Sequence, residues 1–184
     1  SMYNNTDYLF ALENLYSFLN QKNKKEIFNN LCNELLIRGW NVCNAAKTYE
    51  VTPHIMNKQM LELYTKSDAF IYECVAASME PEKIKKDKFI IDYIKNKISD
   101  RKLEILCYGD GIGIDSQIHA ANGHNVTYYD LEGPSYRYAK YRLDKIGFID
   151  NIKFTTNEIK LENNHYDVII CREVLEHLEE PIKT

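Results

Sequence analysis

The sequence lacks the long apolar segment of a membrane protein and the charged-then-apolar N-terminus of an exported one. No apolar run approaches the ~20 residues that a membrane-spanning helix requires. We therefore expect a cytoplasmic protein with no membrane partner. The 184 residues, 45% hydrophobic and 27% charged, have the composition of one globular domain, or of a small domain with a helical extension.

Cysteine pairs at a spacing that suits disulfide frameworks or zinc sites are also missing. The five cysteines are odd in number and widely separated, and no two form a C-x-x-C pair; they are Cys32, Cys43, Cys74, Cys107 and Cys171. This distribution predicts buried thiols in a reducing compartment. It predicts no metal site.

A surplus of positive charge is absent as well. The formal net charge of −4 argues against a nucleic-acid partner, because phosphate binding requires a basic surface. One basic run, residues 83–88, alternates with apolar residues at helical spacing. This pattern favours a solvated helix face over a nucleic-acid patch.

The N-terminal part shows no clear strand pattern, and its apolar residues recur at three- and four-residue spacing. This periodicity predicts a series of amphipathic helices. They are expected at 8–19, 27–36, 42–49 and 53–64, then from Ser67 and from Pro81. The Thr52 hydroxyl is expected to cap the helix that begins at Pro53, and Ser67 to cap the next one. Residues 41–64 also resemble a helix-turn-helix loosely, although simple packing is favoured.

After Asp100, short apolar runs alternate with helical stretches, which predicts βαβ units and a parallel sheet. Strands are expected at 103–108, 125–130, 152–155 and 166–171, and helices at 116–122, 134–146 and 173–180. The predicted fold class is α/β. We expect a helical region over residues 1–100 and a separate α/β unit over residues 101–184.

A glycine-rich turn between the first predicted strand and its helix is the clearest functional motif. Gly109, Gly111 and Gly113 permit positive φ and close approach of a ligand, and the following helix offers free N–H groups. A dinucleotide turn of the form G-x-G-x-x-G would need glycine at position 114, which is Ile114. The spacing therefore argues against a nicotinamide dinucleotide. A tight turn without any ligand stays open.

Asp130 stands at the end of the second predicted strand, seventeen residues after Gly113. An acid at this place accepts hydrogen bonds from both hydroxyls of a ribose in several nucleoside-binding folds. The alternative role is a helix cap or a turn residue. Together with the glycine turn, Asp130 favours a bound cofactor.

Three segments, residues 105–113, 126–130 and 166–178, resemble the class I S-adenosylmethionine-dependent methyltransferases in order and spacing. The resemblance covers about residues 102–184. It implies a Rossmann-like parallel sheet of strand order 3-2-1-4 and S-adenosylmethionine as cofactor, with S-adenosylhomocysteine as product. It also implies methyl transfer to a small-molecule acceptor.

The resemblance assigns roles to individual residues. The glycine turn would cradle the methionine and ribose parts of the cofactor, Asp130 would hold the ribose hydroxyls, and Asn157 or Glu158 would flank the adenine. The full set of implied cofactor-binding residues is Tyr108, Gly109, Asp110, Gly111, Gly113, Asp130, Leu131, Asn157, Glu158 and Arg172. For Asn157 and Glu158 an exposed polar loop is the alternative.

One residue departs from the family pattern. Cys107 stands where the family usually has an acid that helps to hold the methionine amino group. Asp110, inside the turn, is the candidate substitute.

His177 and Glu173 follow the fourth predicted strand, where ligands of open α/β sheets bind, and are the candidate catalytic bases. A structural histidine and a helix cap are the alternatives. The N-terminal helices would cover the cleft for substrate recognition or form a dimer contact. Their aromatic residues Tyr64, Phe70 and Tyr72 are expected as pocket walls or as core.

The family sheet has seven strands, whereas this sequence supplies four. We expect a piece of a longer protein, with an apolar fourth strand at an open edge that favours self-association. Two other functions stay open: a non-catalytic module that binds S-adenosylmethionine, and a nucleic-acid methyltransferase.

Overall fold

The computed structural model describes residues 5–53 and 55–177, and it confirms an α/β fold preceded by a helical N-terminal region. Within the described residues, six α-helices precede the sheet: α1 Asn5–Phe18, α2 Lys24–Leu36, α3 Trp40–Thr48, α4 Lys58–Lys66, α5 Ala69–Ser78 and α6 Pro81–Tyr93. A π-helical stretch, Ile94–Ile98, extends α6. The expected helix start at Pro81 is confirmed.

The α/β part alternates strands with helices as predicted. Its elements are β1 Glu104–Tyr108, α7 Ile114–Ala121, β2 Asn125–Tyr129, α8 Pro134–Lys145, β3 Ile152–Thr155 and β4 Val168–Cys171. All neighbouring strands are parallel, and the observed order, β3-β2-β1-β4, matches the order that the family resemblance implied.

The register of the sheet places the ends of the four strands in one row. Tyr108 pairs with Tyr129 on one side and with Cys171 on the other, and Tyr129 pairs with Thr155. The loops that follow these strands therefore all start at the carboxyl-terminal end of the sheet. Open α/β folds bind their ligands at this end.

The predicted start of the fourth helix is wrong. α4 begins at Lys58, and the Asn57 side chain accepts a hydrogen bond from the N–H of Met60 at 2.9 Å. Asparagine caps a helix as well as threonine does, so the Thr52-Pro53 signal competed with an equally good one five residues later.

The loose helix-turn-helix resemblance is not supported by the geometry. Residues 49–57 separate α3 from α4, which is longer than the three- or four-residue turn of that motif. The N-cap position of α5 is Asp68, one residue after the expected cap Ser67, although the Ser67 hydroxyl does accept a hydrogen bond from the N–H of Ala69 at 3.1 Å.

The helix predicted from Glu173 is also wrong at its start. Glu173 has a φ of 57°, which is left-handed and incompatible with an α-helix. A short 3₁₀ turn, Leu175–His177, follows. Residues 178–180, the rest of the predicted helix, lie outside the described residues.

Two apolar clusters form the core, and one residue of the glycine turn belongs to the helical one. That cluster consists of Leu12, Leu15, Ile27, Leu31, Ile71, Tyr72, Val75, Ala76, Ile112 and Tyr138. The second cluster joins the sheet to α8 and to Ile94. Tyr72, 1% exposed, is therefore core and not a pocket wall.

The cysteines are only partly as predicted. All five are free thiols, but only Cys107 is fully buried, and Cys43 is exposed. Among the described residues, no helix is long and apolar enough to cross a membrane.

The fourth strand forms one edge of the sheet and pairs with β1. Its Ile169 side chain is 61% exposed. Self-association through this edge stays a prediction.

Ile112 offers a test of the contact between the glycine turn and the helices. Its side chain is 2% exposed, so Ile112→Ala should lower the free energy of unfolding by about 2–5 kcal/mol through lost burial and a residual cavity. Urea denaturation measures the change. Ile159→Ala, at a residue that is 93% exposed, is the control and should stay within about 0.5 kcal/mol of the parent. Equal stabilities of the two variants would contradict the assigned packing.

Candidate functional site

The glycine turn after β1 has the backbone conformation that its sequence predicts. Gly109, Gly111 and Gly113 all have left-handed φ values, of 69°, 57° and 77°. A Cβ atom at Gly109 would lie 2.5 Å from Cγ2 of Val174. Glycine at position 109 is therefore required both by the backbone angle and by the close approach of the loop after β4.

A buried arginine on α8, which the sequence analysis did not identify, donates hydrogen bonds to backbone carbonyl groups of the turn. Arg142 on α8 is 9% exposed; its Nε donates to the carbonyl of Ile112 at 3.0 Å and its Nη2 to that of Gly113 at 2.8 Å. The Tyr128 hydroxyl donates to the carbonyl of Gly111 at 2.7 Å. These donors fix the carbonyl groups of the turn on the side of the sheet and α8.

Asp110 caps the helix that follows the turn. Its carboxylate accepts hydrogen bonds from the N–H groups of Asp115, at 3.0 Å, and Ser116, at 2.7 Å. Burial, with a smaller effect from the Asp115 charge, raises the pKa of Asp110 to about 7. Each oxygen of Asp110 thus has one N–H donor from α7, and the expectation that Asp110 replaces the family acid at position 107 stays a prediction.

Asp130 joins the end of β2 to the glycine turn. One carboxylate oxygen accepts from the N–H of Gly111 at 2.6 Å, and the other accepts from the N–H of Leu131 at 2.7 Å. Burial raises the pKa of Asp130, and the two N–H donors oppose that shift. Each oxygen retains a further lone pair for a hydroxyl group. The structure thus brings together two residues that the sequence predicted to share a ligand.

Tyr108 and Glu158 meet beside this pair. The Tyr108 hydroxyl donates to Oε1 of Glu158 at 2.7 Å, and its ring lies 4.7 Å from that of Tyr129. Burial and this hydrogen bond raise the pKa of Tyr108. Asn157 instead serves its own turn, because its side-chain oxygen accepts from the N–H of Ile159 at 3.0 Å.

Arg172, which directly follows the end of β4, joins an ion network. Its Nη1 donates to Asp87 at 2.7 Å, and its Nε donates to Asp115 at 3.0 Å, with a second, shorter contact from Nη2 to the same carboxylate. The Lys83 ammonium lies 2.8 Å from Asp87. The predicted cofactor ligand therefore connects the end of β4 to α6 and α7.

The two candidate bases lie on the loop after β4. His177 is exposed, its N–H donates to the carbonyl of Val174 at 2.9 Å, and its ring meets that of Tyr64 edge-on at 6.3 Å between centroids. Glu173 is exposed. The structure thus brings His177 towards α4, a contact that the sequence did not indicate.

The N-terminal helices contact loops at the carboxyl-terminal end of the sheet. A Cβ atom at Gly111 would lie 3.3 Å from Sγ of Cys74 on α5, and one at Gly133 would lie 2.8 Å from the carbonyl oxygen of Tyr64 on α4. The loops after β1 and β2 are therefore both covered by the helical region. The periodicity of the sequence predicted that these helices have an apolar face. It gave no information on their contact with the loops after the strands.

Two cavities, of about 450 and about 480 Å³, lie mainly between the N-terminal helices and α8. Among the described residues, neither is lined by Gly109, Gly111 or Asp130. The candidate site is therefore assigned by the chemistry of the strand ends and not by cavity volume.

Comparison with known proteins agrees with this geometry. Residues 106–184 match the family model described as a methyltransferase domain. The chain is 39% identical over 97 residues to the ubiquinone biosynthesis O-methyltransferase of Rickettsia canadensis (strain McKiel), and 36% identical over 93 residues to the protein of that name from Nitrosomonas europaea. Each match covers 50% of this chain and 39% of the relative.

The chain thus spans about two fifths of the length of the curated relatives that it matches. The matched family stretch contains most of the parallel sheet, the glycine turn and Asp130. This stretch of the chain is therefore similar to a methyltransferase domain, as the resemblance to the class I S-adenosylmethionine-dependent methyltransferases implied.

Proposed function

We propose that this chain carries the cofactor-binding part of an enzyme that transfers a methyl group from S-adenosylmethionine to an oxygen atom of a small molecule. The observation that carries the proposal is the contact between the Asp130 carboxylate and the Gly111 N–H, at the row of strand ends and inside the matched stretch. The choice of oxygen follows the relatives, which are named as O-methyltransferases.

The residues at the carboxyl-terminal end of the sheet fit the proposed cofactor. The left-handed backbone of the glycine turn suits the methionine and ribose parts, and the Asp130 oxygens suit the two ribose hydroxyls. Leu131, 36% exposed, and Glu158 would flank the adenine. Because Cys107 is buried and carries no charge, Asp110 inside the turn stays the proposed partner of the methionine amino group, through the lone pairs that the start of α7 leaves on its carboxylate.

The chain's contribution to the reaction would be alignment and proton removal. The sulfonium of bound S-adenosylmethionine supplies an already activated methyl group. Fixing the cofactor against the acceptor then lowers the barrier mainly through proximity. His177, on the loop after β4, is proposed to accept the proton of an acceptor hydroxyl, with Glu173 as the second candidate.

Asp130→Asn should weaken binding of S-adenosylhomocysteine about 10- to 100-fold, because it removes a charged acceptor from the ribose hydroxyls. Isothermal titration measures the dissociation constant. Asp150→Asn is the matched control at an exposed aspartate and should bind like the parent. Binding by Asp130→Asn equal to that of the control would overturn the assigned ribose site, and a parent protein that does not bind at all would overturn the proposed function.

Binding should also depend on pH through Asp130. Since burial raises the pKa of this carboxyl, protonation on acidification removes an acceptor that the ribose hydroxyls need. The affinity for S-adenosylhomocysteine should therefore be highest at neutral and alkaline pH and should fall as the pH is lowered through the raised pKa of Asp130. The same titration of Asp130→Asn should be much flatter, and parallel pH profiles of the two proteins would count against this assignment.

His177→Gln should separate chemistry from binding. We expect methyl transfer to small phenols to fall by about 10²-fold or more, as for loss of a general base, with the dissociation constant of S-adenosylhomocysteine unchanged. Glu173→Gln is the companion variant. A His177→Gln protein with parental turnover would leave His177 as a structural residue and move the search for the base to Glu173.

A further inference from the structure

The loop after β2 lies directly against the C-terminal end of α4. Gly133, three residues after Asp130, has no room for a side chain, since a Cβ atom would lie 2.8 Å from the carbonyl oxygen of Tyr64 and 3.1 Å from Cα of Thr65. Its φ of 177° is ordinary extended backbone, so the close approach itself requires glycine here. α4 is thereby fixed to the β2 side of the candidate site.

The loop after β4 reaches the same tyrosine from the opposite side. The His177 ring meets the Tyr64 ring edge-on at 6.3 Å, and the His177 N–H is bonded to the carbonyl of Val174. Val174 in turn lies on Gly109, with Cγ2 only 2.5 Å from the place of a Cβ atom there. A chain of contacts therefore runs from Tyr64 through the β4 loop to the glycine turn.

The strand order, together with these two contacts, locates Tyr64 relative to the sheet. β1 lies between β2 and β4, so a residue that contacts the loops after both of these strands lies across the end of β1, where the glycine turn begins. Phe70 on α5 stacks on Tyr64 with 4.6 Å between centroids and 14° between planes. The stacking fixes the plane of the Tyr64 ring in advance of binding.

We propose that Tyr64, a residue outside the matched methyltransferase stretch, is a contact residue for the cofactor, and that its ring faces the sulfonium of S-adenosylmethionine. This inference rests on the proposed function. An aromatic face attracts a cation through its quadrupole. S-adenosylmethionine carries a sulfonium cation, whereas S-adenosylhomocysteine carries a neutral thioether, so the ring should favour the first over the second.

The test compares the two ligands in one set of variants by isothermal titration. In Tyr64→Leu, the ratio of the dissociation constant for S-adenosylhomocysteine to that for S-adenosylmethionine should fall about fivefold relative to the parent. Tyr64→Phe keeps the aromatic face and should stay within about twofold. Tyr93→Leu is the control, since Tyr93 is 51% exposed on α6 and also has a phenylalanine ring beside it, Phe89, at 6.3 Å between centroids.

A change that acts only through packing would weaken both ligands equally and leave the ratio unaltered, which would overturn the inference. A parent protein that binds neither ligand would overturn the proposed function as well. Hydrogen exchange of the parent gives a second test that needs no variant: S-adenosylmethionine should slow exchange of the backbone amides of residues 64–66. Unchanged exchange at saturating ligand would also overturn the inference.

Discussion

The structure depends on the insertion of one apolar side chain, Ile112, between two left-handed glycines. With Gly111 and Gly113 on either side, the backbone of the turn directs the Ile112 side chain into the helical cluster. The same geometry leaves the Ile112 carbonyl for Arg142 and the Gly111 N–H for Asp130. The turn that is proposed to hold the cofactor is therefore also the joint between the helical region and the sheet.

Three charged side chains, Arg142, Asp110 and Asp130, lie at this contact between the helical region and the sheet, where they are largely shielded from water. A buried guanidinium is tolerated because the carbonyl groups of the turn satisfy its donors, and buried carboxylates because backbone N–H groups satisfy their oxygens. Burial still lowers the pKa of Arg142 and raises the pKa of Asp110 and Asp130. The glycine turn thus lies between the Arg142 guanidinium on α8 and the Asp130 carboxylate, and it contains a third ionisable group, Asp110.

Much of this arrangement could be predicted from the sequence because it is encoded locally. Alternating strand and helix periods gave the sheet, and glycine spacing gave the turn, since both depend on neighbouring residues. The Thr52-Pro53 helix start failed because Asn57 caps equally well. The ion pair of Arg172 was not foreseen because its partner Asp87 lies 85 positions away, a separation at which no local pattern operates. Arg142 was missed for the same reason.

The exchange of Cys107 and Asp110 relative to the family pattern follows from their surroundings. Cys107 lies in the apolar cluster of the sheet with Ile105, where a thiol is tolerated and an unpaired carboxylate would be costly. Asp110, three residues later, supplies a carboxylate to the start of α7, where two N–H groups and the helix dipole stabilise it. The negative charge of the nearby Asp115 would repel that of Asp110, and the hydrogen-bonded Arg172 guanidinium compensates the charge of Asp115. The ion network at the end of β4 therefore reduces the negative charge next to the acid of the turn.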